Sequence, residues 1–370
     1  MRKISCRWIN GQSETNLEIE WEAGKITGLK ERADQGEFIG MPALIDIHTH
    51  GFRGVNSEAS AEELRRLAQA YALRGIGGFC ATVGPRSFSR YLEIIDEYRK
   101  AFSTPYSGAR FLGLHLEGPY LNPEKAGAID PKTMRKIDLA ELEAFLKQSA
   151  GIVKIMTLAP EMPQALEAIR LLKRYGVIAS AGHTAASYEQ GEAAAQAGLT
   201  QITHTFNAMK PLHHRDPGLI TSALTHSDLD CEMISDGFHL RQPIMNLLVQ
   251  TKGEKHLLCV SDSGSDSGFA YPDGTILSDG CRICGGAMVQ PDGVIAGSTC
   301  DLSDALKMIV KNLNVPLPFA VHMLSLNAAR NLKLNGWGRL GLGKPAAWSF
   351  YNADLEFVET IVDEQLCLLK

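Results

Sequence analysis

Eight short apolar runs alternate with helix-like segments along the middle of this 370-residue chain. Seven of the intervening segments place apolar residues at i, i+3 and i+4, which is the pattern of an amphipathic helix. Near-continuous apolar strands are typical of parallel sheets that are buried on both faces. The alternation therefore predicts an α/β protein built on a (β/α)8 TIM-like barrel. The eight runs are ALIDIHTH, GFCATVG, FLGLHLEG, IVKIMTLAP, VIASAGH, ITHTFN, CEMISDGFH and LLCVSD.

The two ends of the chain have a different character from its middle. The first 40 residues and the last 35 contain short strand-like runs separated by glycine and proline turns. We therefore expect both ends to join in a small β-sandwich domain, with domain boundaries at 1–42, 43–334 and 335–370. The competing layout for the middle is an open doubly wound sheet, which should carry a G-x-G-x-x-G turn after an early strand. The sequence has no such turn there.

Composition excludes several classes of partner. A net charge of -5 gives no basic footprint for nucleic acid or for a membrane surface, so we expect a small-molecule partner. The polar N-terminal stretch and the lack of any run of about 20 apolar residues predict a cytoplasmic protein. The 8 cysteines are scattered, which favours reduced thiols. Cys281 and Cys284 have CxxC spacing but no second pair, so we interpret them as ordinary strand or turn residues.

Polar residues at the strand ends are the candidate functional residues. The carboxyl ends of barrel strands point to one face, where the active sites of such barrels are built. One histidine at a strand end is usually a surface residue, but several converging on one rim predict a metal site. The candidates are His48, His50, Glu117, His183, His204, Asp236, His239 and Asp262.

These side chains offer imidazole and carboxylate ligands without a nearby thiolate. Such a set suits zinc or iron, and also manganese or cobalt, acting as a Lewis acid. Glu117 is placed to bind one divalent ion or to bridge two. His183 and His204 would complete the first site. The second site would consist of His48, His50 and Asp262. Asp262 is also the natural proton shuttle, because a carboxylate beside cations starts in its ionised form.

Six motifs extend this interpretation. PALIDIHTHG, GLHLEGPYLNPEKAGA, AGHTAASYEQG, THTFNAMKPLHHRDPG, SDGFHL and CVSDSGSDSG follow one another in the order typical of one family. The chain resembles the amidohydrolase superfamily and, within it, the N-acetylglucosamine-6-phosphate deacetylase family. The resemblance implies that Glu117, His183 and His204 bind the catalytic metal and that Asp262 is the catalytic acid and base.

The resemblance also implies contacts with an amino sugar phosphate. Arg215 corresponds to a phosphate-binding arginine, which in a homodimer can come from the neighbouring subunit. Asn207 and the backbone at Ala208 correspond to the loop that faces the phosphate, and His239 to a histidine that contacts sugar or phosphate. Guanidinium and backbone N–H donors suit a phosphate dianion. We interpret the remaining histidines of this region as surface residues: His213, His214 and His226.

One position departs from the family pattern. Family members usually have a histidine that holds the acyl carbonyl oxygen where this chain has Ile129. An apolar side chain cannot donate that hydrogen bond, and the loss of one such donor typically lowers a rate about 10²- to 10³-fold. Two accounts are open. A second metal ion at His48 and His50 polarises the carbonyl instead, or the substrate is a different N-acyl amino sugar or another amide.

The sequence is compatible with three functions. The leading one is metal-dependent hydrolysis of the N-acetyl group of N-acetylglucosamine 6-phosphate. The second is another amidohydrolase activity, such as that of a cyclic amidase or deaminase. Enzymes of the carboxylated-lysine type need a lysine at the end of the fourth strand, and Lys154 lies too early. The third is a catalytically inactive barrel, which would be expected to have lost ligands, whereas this chain retains them.

Overall fold

The computed structural model describes residues 1–23, 25–34, 36–343 and 346–362. Its strands are β1 (Arg2–Ile9), β2 (Glu14–Glu22), β3 (Lys25–Glu31), β4 (Phe38–Pro42), β5 (Leu44–Thr49), β6 (Gly51–Phe52), β7 (Val55–Asn56), β8 (Ile76–Val83), β9 (Arg110–Glu117), β10 (Val153–Leu158), β11 (Ile178–Ala181), β12 (Gln201–Ile202), β13 (Asp230–Ile234), β14 (Leu257–Val260), β15 (Arg282–Cys284), β16 (Ala287–Val289), β17 (Ala347–Tyr351) and β18 (Phe357–Val362). The α-helices are α1 (Ala61–Ala72), α2 (Phe88–Phe102), α3 (Leu139–Ser149), α4 (Ala165–Arg174), α5 (Tyr188–Ala197), α6 (Gly218–Thr225), α7 (Gln242–Lys252), α8 (Leu302–Lys307), α9 (Leu317–Val321) and α10 (Asn327–Asn331).

The middle of the chain forms a parallel barrel. Within the described residues, eight strands pair in the order β14-β13-β12-β11-β10-β9-β8-β5. Two backbone hydrogen bonds join the first strand to the segment after the last. Asp262 N–H donates to the His48 carbonyl at 2.9 Å, and His50 N–H donates to the Ser263 carbonyl at 2.7 Å. The predicted (β/α)8 fold is confirmed, and each of the eight apolar runs overlaps one barrel strand, although β12 shares only Ile202 with its run.

Burial explains why these segments form these elements. Every residue of β5 and of β8 is buried, as expected for strands covered on both faces. Helix α4 buries residues spaced three and four apart, so that one face packs on the barrel. Helix α5 begins at Ser187, whose hydroxyl accepts the backbone N–H of Gln190 in a capping box. Helices α1 to α7 occupy the seven segments with helical spacing.

Both chain ends contribute to one separate sheet. Its described strands run in the order β18-β17-β4-β1-β2-β3. Trp348 is fully buried between Trp8 and Trp21, with edge-on ring centroids at 6.2 and 6.4 Å. The predicted joining of the two ends is confirmed, while the boundaries 1–42, 43–334 and 335–370 remain our proposal. The last predicted domain includes residues 344, 345 and 363–370, with Cys367, which lie outside the described residues.

A long arm separates β14 from α8. It carries the hairpin of β15 and β16, which packs on a small apolar cluster that includes Leu277 and Met288. Cys281 is buried and Cys284 is exposed in this arm, and both are free thiols. Neither belongs to a group of possible metal ligands found among the described residues. None of the helices in the described ranges has both the length and the apolar character needed to cross a membrane.

Candidate active site

Side chains from five barrel strands meet at the carboxyl end of the barrel. This is the face on which such barrels build their active sites. Each side chain lies at the end of a strand or in the first residues after it, so the strand positions set their mutual distances. The group is His48 in β5, His50 directly after β5, Glu117 in β9, His183 after β11, His204 after β12 and Asp262 after β14.

The tightest group consists of Glu117, His183 and His204. The Oε1 atom of Glu117 lies 3.0 Å from His183 Nε2 and 3.1 Å from His204 Nε2, and the two nitrogens are 3.0 Å apart. Nδ1 of His183 lies 2.9 Å from the carbonyl of Lys125. Donation from Nδ1 to that carbonyl leaves the Nε2 lone pair of the neutral ring directed at the group. These three buried side chains could hold a metal ion.

A second group shares Glu117. His50 Nε2 lies 3.4 Å from Glu117 Oε2 and 3.4 Å from Asp262 Oδ1. His48 Nε2 lies 3.4 Å from the same Asp262 oxygen and 3.7 Å from Glu117 Oε1. Ligand atoms about 2.1 Å from a tetrahedral ion are about 3.4 Å from one another. The buried His48 Nε2 has no hydrogen-bond partner among the described residues, so the spacing and this free nitrogen both fit a cation.

The electrostatics of the site favour a cation. Burial raises the pKa of Glu117, but the imidazoles of His183, His204 and His48 outweigh burial and hold it well below its usual range. Burial likewise raises the pKa of Asp262, and His48 and His50 lower it to a net decrease. Burial lowers the pKa of His48, but nearby carboxylates raise it to about 10. These shifts reflect the excess of carboxylate charge around the imidazoles, and a metal ion that binds here would take the place of the imidazole protons.

The backbone is strained at the residues that deliver these groups. Asp262, His183 and His204 have φ values of 50°, 47° and 29°, which are in the left-handed region. Phe206 and Ala208, in the loop after His204, have φ values of 80° and 49°. Non-glycine residues in this region cost roughly 1–3 kcal/mol each and cluster at functional sites. The strain supports a functional interpretation of these strand ends.

Two residues of the site were missed from the sequence. Glu232 in β13 is fully buried, and its Oε2 accepts from His48 Nδ1 at 2.8 Å and from the backbone N–H of His204 at 2.9 Å. His115 in β9 is also fully buried and packs edge-on against His48, with ring centroids 4.7 Å apart. The available signal was one acid in the interior of DCEMI and one histidine in the interior of RFLGLHLE, each with apolar residues on both sides.

His48, His115 and Glu232 form a third group of possible metal ligands. Their atoms are already engaged, because His115 Nδ1 lies 3.1 Å from the Ile47 carbonyl and Nε2 lies 2.8 Å from Thr157 Oγ1. Burial and the neighbouring His48 lower the pKa of His115 to about 3, so its ring stays neutral. We interpret this group as a hydrogen-bonded layer beneath the site.

A cavity of about 1060 Å³ opens above the site. The predicted substrate contacts Asn207, Ala208 and His239 line it, together with Ile129. Arg215 is not among its lining residues: it is exposed on the loop after His204, with Nη1 2.9 Å from His214 Nε2. Within one chain the structure therefore brings the predicted metal ligands together with Asn207, Ala208 and His239, and leaves Arg215 apart.

Asp236 positions His239 and does not join the possible metal groups found in the described residues. Its Oδ2 lies 2.7 Å from His239 Nδ1, and its Oδ1 accepts the backbone N–H groups of Phe238 and His239 at 2.8 and 3.0 Å. Burial lowers the pKa of His239, but Asp236 outweighs burial and raises it. A raised imidazole pKa favours the cationic ring, which suits an anionic ligand at the cavity wall.

Comparison with known proteins identifies the family of this chain. Residues 39–363 match the Amidohydrolase family, and the chain belongs to that family. It is 33% identical over 350 residues to the N-acetylglucosamine-6-phosphate deacetylase of Bacillus subtilis (strain 168), covering 93% of this chain and 88% of that one. It is also 33% identical over 329 residues to the N-acetylgalactosamine-6-phosphate deacetylase of Escherichia coli O157:H7, with 88% and 86% covered.

Solved structures give the same relationship. The Thermotoga maritima N-acetylglucosamine-6-phosphate deacetylase matches with a TM-score of 0.86 and 28% identity, over 97% of each chain. A mutant of the Mycobacterium smegmatis deacetylase with one aspartate changed to alanine, in complex with N-acetyl-D-glucosamine-6-phosphate, matches with a TM-score of 0.87 and 28% identity, covering 96% and 97%. The resemblance inferred from the motifs is confirmed.

Removal of the shared carboxylate should empty the site. We expect Glu117→Ala to retain less than about a tenth of the wild-type metal content, because both groups lose a charged ligand. Plasma mass spectrometry of protein dialysed in parallel measures this. His226→Ala, which removes a histidine far from the groups, is the control and should keep the wild-type content. A Glu117→Ala protein with full metal content would contradict the site.

Proposed function

We propose that this chain is a metal-dependent deacetylase that hydrolyses N-acetylglucosamine 6-phosphate to glucosamine 6-phosphate and acetate. The observation that carries the proposal is the convergence of Glu117, His183 and His204 beside Asp262 on the wall of a cavity. The cavity has room for a hexose phosphate. The relatives named for this activity support the assignment across most of the chain.

We propose that this site holds one or two divalent ions. Glu117, His183 and His204 would hold the first, and His48 and His50, with Glu117 and Asp262, the second. Zinc and iron suit the imidazole and carboxylate ligands best, and manganese and cobalt are compatible with them. A bound ion supplies Lewis acidity at this position, which activates water as a nucleophile and polarises the amide carbonyl.

Asp262 carries the proton in this mechanism. Its lowered pKa keeps it ionised at the start, so it accepts a proton from the attacking water. The water oxygen bonds to the acyl carbon, and the C–N bond then breaks. Asp262 returns its proton to the departing amine nitrogen, which leaves acetate and the free amino sugar. Its side chain is 14% exposed at the cavity, so it is accessible to substrate while remaining largely desolvated.

Asn207, the Ala208 backbone and His239 would bind the sugar phosphate. The exposed position of Arg215 favours its delivery to the cavity of a neighbouring subunit, so we propose a homodimer. The free thiols of the described residues agree with a cytoplasmic location, which remains a prediction.

Ile129 requires compensation for the missing carbonyl donor. It lines the cavity, on a loop whose Ala128 carbonyl accepts from Gln290 Nε2 at 3.3 Å. The second ion at His48 and His50 would take over the polarisation of the carbonyl. A changed substrate is the other account, and the relative named for N-acetylgalactosamine 6-phosphate makes that epimer the first alternative to test.

Loss of the proton shuttle should stop turnover without emptying the site. We expect Asp262→Asn to lower kcat about 10²- to 10⁴-fold, because the amide cannot accept the proton of the attacking water. The ion at Glu117, His183 and His204 should remain. Steady-state acetate release and metal counting on the same sample measure the two quantities, with exposed Asp228→Asn as the control. Turnover near that of wild type would contradict the assigned role.

Discrimination by phosphate is the second test. We expect kcat/KM for N-acetylglucosamine 6-phosphate to exceed that for the unphosphorylated sugar by about 10²-fold or more, because charge-assisted hydrogen bonds are lost with the phosphate. Arg215→Ala should reduce this ratio at least tenfold, whereas Arg174→Ala, on the distant helix α4, should not. Equal rates on both sugars would remove Arg215 and the Asn207 loop from the phosphate role. N-acetylgalactosamine 6-phosphate, assayed in parallel, determines the epimer.

The compensation for Ile129 can be tested by a double variant. His48→Ala should lower kcat/KM because the second ion is lost. Adding Ile129→His should raise the kcat/KM of that variant at least tenfold, because the new histidine supplies a donor. Ile129→His alone should change the wild-type value less than about threefold, and Ile129→Leu is the matched control for shape. The absence of rescue in the double variant would favour a changed substrate over compensation by metal.

A further inference from the structure

Glu232 is a buried carboxylate that lies outside the catalytic roles assigned above. It lies in β13, and none of its side chain is exposed. Its Oε1 accepts from Gln201 Nε2 at 2.6 Å, and its Oε2 accepts from His48 and His204. A buried carboxylate is kept only where its partners are well placed.

Contacts with Glu232 determine how His48 faces the cavity. Glu232 Oε2 lies 2.8 Å from Nδ1 of His48, so in the neutral ring Nδ1 carries the proton and Nε2 carries the lone pair. That Nε2 is the buried nitrogen without a hydrogen-bond partner in the described residues, and it faces Asp262 and Glu117. The hydrogen bond therefore presents the free nitrogen to the proposed second ion.

The same oxygen connects the two candidate metal positions. Glu232 Oε2 also accepts the backbone N–H of His204 at 2.9 Å, and His204 belongs to the other group. His204 follows β12, whereas His48 lies in β5, and β13 and β14 stand between these two strands in the closed barrel. One carboxylate oxygen thus fixes a side chain from one strand and the backbone of another.

We infer that Glu232 is a positioning residue that orients the His48 ring for a divalent cation. It also fixes the two candidate metal positions relative to each other through its contacts with His48 and His204. The inference rests on the proposed function, because it concerns the second of the proposed ions. Glu232 acts through His48 and is not itself a ligand, since its Oε2 is turned toward Nδ1 and away from the cavity. Outer partners of this kind typically contribute 10- to 100-fold to metal affinity.

Gln201 makes a conservative test available. Its Oε1 is buried without a hydrogen-bond partner among the residues described. In Glu232→Gln the new amide oxygen can take the place of Oε2, and the new amide NH₂ can donate to the free Gln201 oxygen. This variant keeps the hydrogen bond to His48 and removes the charge. Glu232→Ala removes both, and Glu232→Asp keeps the charge but withdraws the carboxylate by one methylene.

The experiment is a Zn²⁺ titration of metal-free full-length protein against a chromophoric chelator, with bound zinc counted by plasma mass spectrometry. We expect two equivalents in wild type. Glu232→Ala should weaken one equivalent about 10- to 100-fold and the other less than threefold. Glu232→Gln should stay within about threefold of wild type for both. Gln201→Ala, which leaves the His48 contact intact, is the control and should also stay within threefold.

Two further measurements distinguish misfolding of a variant, and failure of the proposed activity, from failure of the inference. Near-ultraviolet circular dichroism identifies any variant that fails to fold, and Glu232→Asp, expected to show the same selective loss, then replaces Glu232→Ala. Two equivalents of unchanged affinity in Glu232→Ala would overturn the inference alone. An equal loss in Glu232→Gln and Glu232→Ala would also overturn it, because charge and not orientation would then be responsible. One equivalent in wild type would overturn the second ion, and with it the inference, while acetate release tests the proposed activity independently.

Discussion

The hydrogen bonds that close the barrel between β5 and the end of β14 are the constraint on which the candidate site depends. Asp262 N–H donates to the His48 carbonyl, and His50 N–H donates to the Ser263 carbonyl. They bring residues more than 200 positions apart to side-chain distances of 3.4 Å. An open sheet would leave its first and last strands at opposite edges. Closure is therefore what brings the side chains of His48, His50 and Asp262 to one position.

Much of this arrangement was predictable because it follows from periodicity and from strand direction. Buried parallel strands give continuous apolar runs, and their carboxyl ends share one face, so the strand-end residues could be grouped before their distances were known. His183, His204 and Glu117 were found in this way. The terminal sheet was predictable for a similar reason, since short strands at both ends have unpaired edges that can pair with each other.

The remainder depends on side-chain direction, which the sequence does not specify. Glu232 and His115 lie within strands, and whether such residues point into the barrel or toward the helices depends on strand tilt and register. The position of Arg215 depends on a loop of exposed residues, 211–216, where neither the helical nor the strand periodicity of apolar residues applies. The long arm after β14 was also not predicted, because its short strands interrupt the alternation that defined the other seven units.

Charge balance connects the buried layer to the chemistry above it. Three carboxylates, Glu117, Glu232 and Asp262, lie within 4 Å of the His48 ring, at 3.7, 2.8 and 3.4 Å. One divalent ion would leave this group with a net negative charge, which would oppose an oxyanion developing on the substrate carbonyl. Two divalent ions would reverse that sign and favour such an oxyanion. The buried Glu232 would then limit the excess positive charge of a two-ion site, while Ile129, which offers no hydrogen bond, would leave the carbonyl to the proposed ions.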